Sequence, residues 1–173
     1  EEKLKIDCDN ALSCLCEAGL TWRYGADGVT DEIRARLERE LRILSDKNIS
    51  AYFLIVWDIV REARAQGIQT VGRGSAANSL VCHALKITEV NPIHHNLYFE
   101  RFLNSERTDY PDIDVDFASD KRDEILNYVF KKYGHEYVAL ISSHIHFRGR
   151  SALREVGKAI GVSTKEIDRL TGP

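Results

Sequence analysis

Apolar side chains return every three or four residues over several long stretches of the chain and every second residue over shorter ones, so helices and strands are both expected. Residues 4–19 read as a first helix on Leu12, Leu15 and Cys16, with Gly19, Gly25 and Gly28 marking a loop after it. Thr30 can cap a second helix running to about Ser45. Asp31 and Glu32 favour its dipole, and Ile33, Leu37, Leu41 and Leu44 form its buried stripe. The opposite face, Arg34, Arg36, Glu38, Arg39 and Glu40, reads as solvated. Ser50 can cap a third helix over 51–66, closed by Gly67 and apolar over more than half its circumference. Trp57 could stack a base, but in so apolar a helix it reads as core.

Ile68 to Val71 reads as a short strand, followed by Gly72-Arg73-Gly74-Ser75 and a helix of small residues from about Ala76 to Leu85. Beyond a connection at 87–92, Leu97, Tyr98, Phe99, Phe102 and Leu103 indicate a helical segment with Arg101 on its polar side. Residues 104–110 form a polar loop. It delivers the strand Pro111-Asp112-Ile113-Asp114-Val115-Asp116-Phe117, in which acids and apolar residues alternate. Ser119 can cap a helix to about Tyr133, ended by Gly134, with Ile125, Leu126, Val129 and Phe130 inward. Tyr137 to His146 reads as another strand. Arg148-Gly149-Arg150 leads into a helix carrying Leu153, Val156 and Ile160, and Ser163 with Glu166 is a capping box for a last helix. The fold class expected is α/β or α+β: a small mixed sheet with helices around it.

The 173 residues are enough for one domain burying about 70% of its unfolded surface. A net charge of −3 excludes a generally basic domain, so any grip on nucleic acid must be local. With no run of 18 apolar residues and no signal-peptide pattern, a cytoplasmic protein is expected. The chain has no Met and opens Glu1-Glu2-Lys3, as an excerpt of a longer polypeptide would. Cys8, Cys14, Cys16 and Cys82 lack zinc spacing and read as free thiols. His83, His94, His95 and His135 read as loop or surface residues.

Two stretches carry candidate chemistry. In a strand, Asp112, Asp114 and Asp116 would share one face, and like charges so placed need an offset. A hard cation such as Mg²⁺ supplies one, although an edge strand can also carry charge simply to stay unpaired. Gly72-Arg73-Gly74-Ser75, between a strand and a helix, could seat an anion: glycine lets a ligand approach the backbone, Arg73 adds charge and Ser75 a hydroxyl. The same loop fits G-x-G-x-x-A with Ala77 last, a weak dinucleotide fingerprint, and a Walker A loop is absent. His144 and His146 could share a face and ligate a metal, without a convincing third ligand. Arg148 and Arg150 could hold phosphate at a helix start or pair with surface acids.

In order along the chain, Tyr52-Phe53-Leu54 with Trp57-Asp58, then Gly72-Arg73-Gly74-Ser75, then Phe99-Glu100-Arg101-Phe102-Leu103-Asn104, then Pro111 to Phe117 resemble the bacterial C-family DNA polymerases, the DNA polymerase III alpha subunits and their relatives. The resemblance spans about residues 10 to 170. Ser75-Ala76-Ala77-Asn78-Ser79 and Arg148 to Arg154 are closer to the error-prone branch than to the main replicase. It implies a nucleotidyltransferase-like (polymerase beta-like) palm, with residues 1–50 a helical connector and 51–173 the palm core. It implies that Asp114 and Asp116 are the catalytic pair and hold two Mg²⁺ ions, with Asp112 in support. Gly72, Arg73, Gly74 and Ser75, with Arg101, would bind nucleotide phosphates. A third family aspartate is expected beyond Pro173. The implied reaction is transfer of deoxynucleotides from deoxynucleoside triphosphates to a primer 3′-hydroxyl on template DNA, in translesion synthesis. A sliding clamp and accessory proteins would be further partners, met outside this segment. The other readings open at this point are a non-catalytic scaffold, a dinucleotide-binding oxidoreductase resting on the glycine fingerprint, and a D-x-D phosphatase.

Overall fold

The computed structural model describes residues 1–25, 27–103 and 110–172. They form two compact units, Glu1–Gly134 and a second from His135 on. In the first unit, α1 (Glu2–Tyr24), α2 (Asp31–Asp46) and α3 (Ser50–Ala65) pack with the short α4 (Leu80–Ala84) around one apolar core. Leu12, Cys16, Leu44, Phe53, Leu80, Phe99 and Phe102 are wholly buried there. The aromatic rings meet edge to face, Phe53 to Phe102 at 6.0 Å and Phe102 to Phe99 at 5.9 Å between centroids. They tie α3 to the 3₁₀ turn Phe99–Arg101.

The stripe of α2 is as the periodicity predicts, and the Thr30 hydroxyl accepts from the Ile33 N–H. Other local expectations are overturned by long-range contacts. α1 continues through Gly19 to Tyr24, and a Cβ at Gly19 would overlap the Ala84 carbonyl, so this glycine permits close packing on α4 and does not break the helix. Ser50 does not cap α3; its hydroxyl donates to Asp9 in α1, as does that of Ser45. Ser119 likewise caps nothing, and α5 begins at Arg122 and ends at Tyr133. His83, expected at the surface, is buried in α4. Glu40, expected in solvent, is wholly buried.

The sheet among the described residues has two strands, β1 (Thr70–Arg73) and β2 (Asp114–Phe117), paired antiparallel, and is not the mixed sheet expected. The architecture is therefore α+β, helix-rich with a small ribbon. The register sets Thr70 opposite Phe117, Val71 opposite Asp116, Gly72 opposite Val115 and Arg73 opposite Asp114. Gly72 lies so close to the Ile87 carbonyl that a Cβ there would overlap it. The residues after β1 form a 3₁₀ turn, Gly74–Asn78, and α4 starts only at Leu80, capped by the Ser79 hydroxyl. This is not the parallel βαβ unit a dinucleotide fingerprint requires, so the oxidoreductase reading has no fold beneath it. Nor does a helix N-terminus stand directly behind Ser75.

In the second unit, α6 (Gly149–Ala159) packs on α7 (Thr164–Thr171) through Gly157 against Ile167, and Arg154 pairs with Asp168. The Ser163 capping box is present: its hydroxyl accepts from the Glu166 N–H at 3.3 Å and donates to the Glu166 carboxylate at 2.7 Å. Residues 137–146 form no strand; Tyr137, Ile141 and Ile145 stand exposed. Of the polar loop expected at 104–110, only Tyr110 is among the described residues. Among the described residues, no helix is long and apolar enough to cross a membrane.

Candidate active site

The two stretches singled out in the sequence meet. β1 ends where β2 begins, so the glycine turn and the acids are neighbours across the ribbon. Gly74 has φ +68°, the left-handed region that glycine enters without penalty, and a Cβ built on it would lie 3.0 Å from Asp114 Oδ2. Arg73, opposite Asp114, reaches along β2 to both acids: Nε donates to Asp116 Oδ2 at 2.9 Å, and Nη1 lies 3.5 Å from Asp114 Oδ2. Hydrogen bonding to Asp116, then its charge, holds the guanidinium pKa above the usual arginine value.

The alternation seen in the sequence explains why the acids project. Val115 and Ile113 pack on the main core, and Phe117 packs on a smaller cluster of Ala63, Ile68 and Ile125, so Asp114 and Asp116 are left on the open face. Their side chains are 39% and 58% exposed, within reach of a ligand from solvent. Asp112 precedes the strand and is exposed, while the Tyr52 hydroxyl is hydrogen-bonded to the backbone of Ile113 beside it. Gly72, Arg73, Gly74 and Ser75 thus form one end of β1 and its turn, against the acids. Arg101 lies exposed on its own 3₁₀ turn and makes no ion pair among the described residues. Arg148 and Arg150 belong to the second unit, as do the exposed His144 and His146.

Side chains that the sequence reading passed over hold this end of the ribbon. The Glu40 carboxylate accepts from Ser79 Oγ at 3.0 Å, from the Val81 N–H at 3.2 Å and from Arg36 Nε at 3.0 Å. Arg36 also donates to the Asn78 carbonyl at 2.8 Å, and Asn78 to the Ser75 carbonyl at 2.9 Å. A buried ion pair on α2 therefore anchors the far end of the Gly74–Asn78 turn. Burial pushes the Glu40 carboxyl up, against the bonds from Arg36 and the α4 backbone. A signal was present: Glu40 falls on the same helical stripe as Leu37 and Leu44. Asp58 of α3 accepts from Tyr128, Lys132 and Tyr133 of α5 at 2.7, 2.7 and 2.8 Å. Burial raises the Asp58 carboxyl, but these bonds outweigh it and the net shift is downward. This pins α5, the helix that follows β2, onto α3.

These residues lie inside a recognisable sequence family. The family model described as "Bacterial DNA polymerase III alpha NTPase domain" matches residues 10–172. The chain belongs to the bacterial DNA polymerase III alpha family. Among curated members, an error-prone DNA polymerase of Anaeromyxobacter sp. (strain K) is 48% identical over 156 residues, 90% of this chain and 14% of that protein. One from Caulobacter vibrioides is 46% identical over 161 residues, 93% of this chain and 15% of that protein. A third, from Burkholderia mallei, is 50% identical over 153 residues, 88% and 14%. The chain thus spans about one seventh of the length of these polymerase III alpha relatives.

The donor set suits a hard cation. Two carboxylates lie on one face, already gathered around a positive charge, and Mg²⁺ is commonly held by one or two carboxylates plus substrate phosphates. Among the described residues, no three His, Cys, Asp or Glu side chains converge on a point that could hold a metal ion.

Proposed function

We propose that this chain is the metal- and nucleotide-holding part, a nucleotidyltransferase-like palm, of a DNA-directed DNA polymerase of the error-prone type, working in translesion synthesis on primer-template DNA. The supporting observation is the abutment of Gly74 against Asp114, with Arg73 gripping both acids. The relatives' names support the error-prone assignment.

In this reading Asp114 and Asp116 hold Mg²⁺, two ions in the complete enzyme. When bound, Mg²⁺ offsets the negative charge of the triphosphate and favours the ionised primer hydroxyl. The chain's own part is positioning. Gly74 keeps the turn bare of a side chain, so that phosphate oxygens can approach the backbone, and Gly72, buried against the Ile87 carbonyl, seats the strand that carries the turn. Ser75 offers a hydroxyl, and Arg73 a cation within reach of both acids and phosphates. Arg101 contributes positive charge from its neighbouring turn. Asp112, outside the strand, supports the entry of β2.

The test is calorimetric titration of a deoxynucleoside triphosphate with and without Mg²⁺, on the parent chain, Asp114→Asn and Asp112→Asn. Mg²⁺ should tighten binding roughly tenfold or more, or about 1.4 kcal/mol. Asp114→Asn should abolish that gain and Asp112→Asn keep it. Equal affinity with and without Mg²⁺ in the parent chain would favour a non-catalytic scaffold and overturn the assignment.

A further inference from the structure

Both tryptophans of the chain line one cleft. It lies between α1, α3 and α4, has a volume of about 380 Å³, and shares no lining residue with the ribbon and its turn. Trp22 is 64% exposed, and Trp57 is half-buried, with one side packed on the main core as its helix predicts. Cations surround the indoles: Lys86 Nζ lies 3.2 Å from the Trp22 ring centre, and the Arg61 guanidinium 4.9 Å from that of Trp57. Arg64 also lines the cleft, and Arg23 approaches Trp22 at 5.3 Å.

These cations are short of anions. Arg23 and Arg64 share the single carboxylate of Glu89, while Arg61 shares Asp58 with Lys132. Lys86 makes no ion pair among the described residues, although its backbone is held at φ +59°, uncommon for a residue with a side chain. Burial, then repulsion from Arg23 and Arg64, lowers the Lys86 ammonium pKa despite Glu89. Lys86, Arg61 and Arg64 line the cleft against Glu89 and Asp58, each carboxylate already shared with a further cation, and in a chain of net charge −3 this is a local surplus that an incoming anion would complete.

We propose that this cleft binds nucleotide units of single-stranded DNA, an unpaired base against Trp22 and Trp57 and its phosphate on Lys86, Arg61 and Arg64. Lys86 and Arg61 lie over the indole rings, so a base stacks on an indole as its cation swings off the ring to the phosphate, and aromatic faces with cations at hand are the combination that holds unpaired strands without reading their sequence. An acidic peptide would satisfy the cations and leave the indoles without a stacking partner, and a free nucleotide offers the same chemistry as one unit of the strand. The proposal does not rest on the metal site.

With both tryptophans in the cleft, intrinsic fluorescence excited on their red edge reports on it alone. Titration with oligothymidylate should quench emission saturably, and binding should weaken linearly with the logarithm of salt concentration. Lys86→Gln should reduce that slope by about 0.7. Trp22→Leu and Trp57→Leu, followed by anisotropy of a labelled oligonucleotide, should each weaken binding roughly tenfold. Asp114→Asn should leave all of this unchanged, which separates the cleft from the proposed metal site. Thymidine monophosphate quenching at the same concentration of nucleotide units would assign the cleft to free nucleotides and overturn the strand reading. Quenching by polyglutamate as strong as by oligothymidylate, absent quenching, or binding insensitive to Lys86→Gln and to both tryptophan changes would each overturn the proposal. Far-ultraviolet circular dichroism checks each variant, and Lys86→Gln alone decides the matter should a tryptophan variant unfold.

Discussion

Replacing Gly74 by alanine sets two costs against each other, and neighbouring glycines separate them. At φ +68° an L-residue pays about 1 kcal/mol of backbone strain. The added Cβ would also lie 3.0 Å from Asp114 Oδ2, so the carboxylate must give by a few tenths of an ångström. It sits at the end of a side chain and can move, which keeps the total near 1–2 kcal/mol. Gly67, at φ +72° with nothing near its virtual Cβ, isolates the strain alone, about 1 kcal/mol. Gly72 isolates the collision: its Cβ would strike the Ile87 backbone, which cannot swing aside, at a cost of roughly 3 kcal/mol or more. Urea unfolding followed by tryptophan emission reads the first unit, since Trp22 and Trp57 both lie within Glu1–Gly134. With an m-value of about 2 kcal/mol/M, Gly67→Ala and Gly74→Ala should lower the midpoint by roughly 0.5–1 M, and Gly72→Ala by well over 1 M. Gly74→Ala alone of the first pair should also weaken Mg²⁺-dependent nucleotide binding, because it displaces Asp114. If Gly74→Ala unfolds at the parent midpoint, or if Gly67→Ala weakens the nucleotide equally, the turn does not press on the acid and the reasoning fails.

Two further outcomes follow from buried groups. Glu40→Ala should cost roughly 3–5 kcal/mol in the same urea assay, because it strands Arg36 and leaves Ser79 and the Val81 N–H without their acceptor. A small loss would mean that the buried pair does not anchor the turn. His83, next to Tyr24 and Arg23 and facing Glu89, has its imidazole pKa pushed down to about 4, chiefly by burial and then by Arg23. Among the described residues its Nδ1 makes no hydrogen bond. Below pH 6.5 the unfolded chain takes up a proton that the folded one refuses. Stability should therefore fall between pH 6.5 and about 4, by roughly 3 kcal/mol in all, and His83→Leu should flatten that slope. A parent chain whose urea midpoint is level over that range would contradict this.

What could be read ahead of the structure was local. The stripe of α2, its Thr30 cap, the Ser163 capping box and the outward acids of β2 each depend on residues within a turn or two of one another. What could not be read was the partner. Ser50 looks like a cap until Asp9 takes its hydroxyl from another helix. Gly19 looks like a breaker until Ala84 lies against it. The stretch 137–146 has strand-like composition, but a strand forms only against another strand, and those residues remain exposed. The sequence could propose that glycine turn and acids meet, but not the register that sets Arg73 opposite Asp114, since pairing across the ribbon leaves no local trace.

Arg73 has one more consequence. A protein that keeps two carboxylates side by side must carry a counter-charge when no other ion is near, and here it is tethered to the adjoining strand. Any cation settling between those carboxylates competes with a guanidinium that cannot leave, only turn aside. Under the proposed reading, a displaced guanidinium would be available to pair with a phosphate oxygen. On the metal-site reading proposed above, cation loading and anion binding would draw on the same side chain.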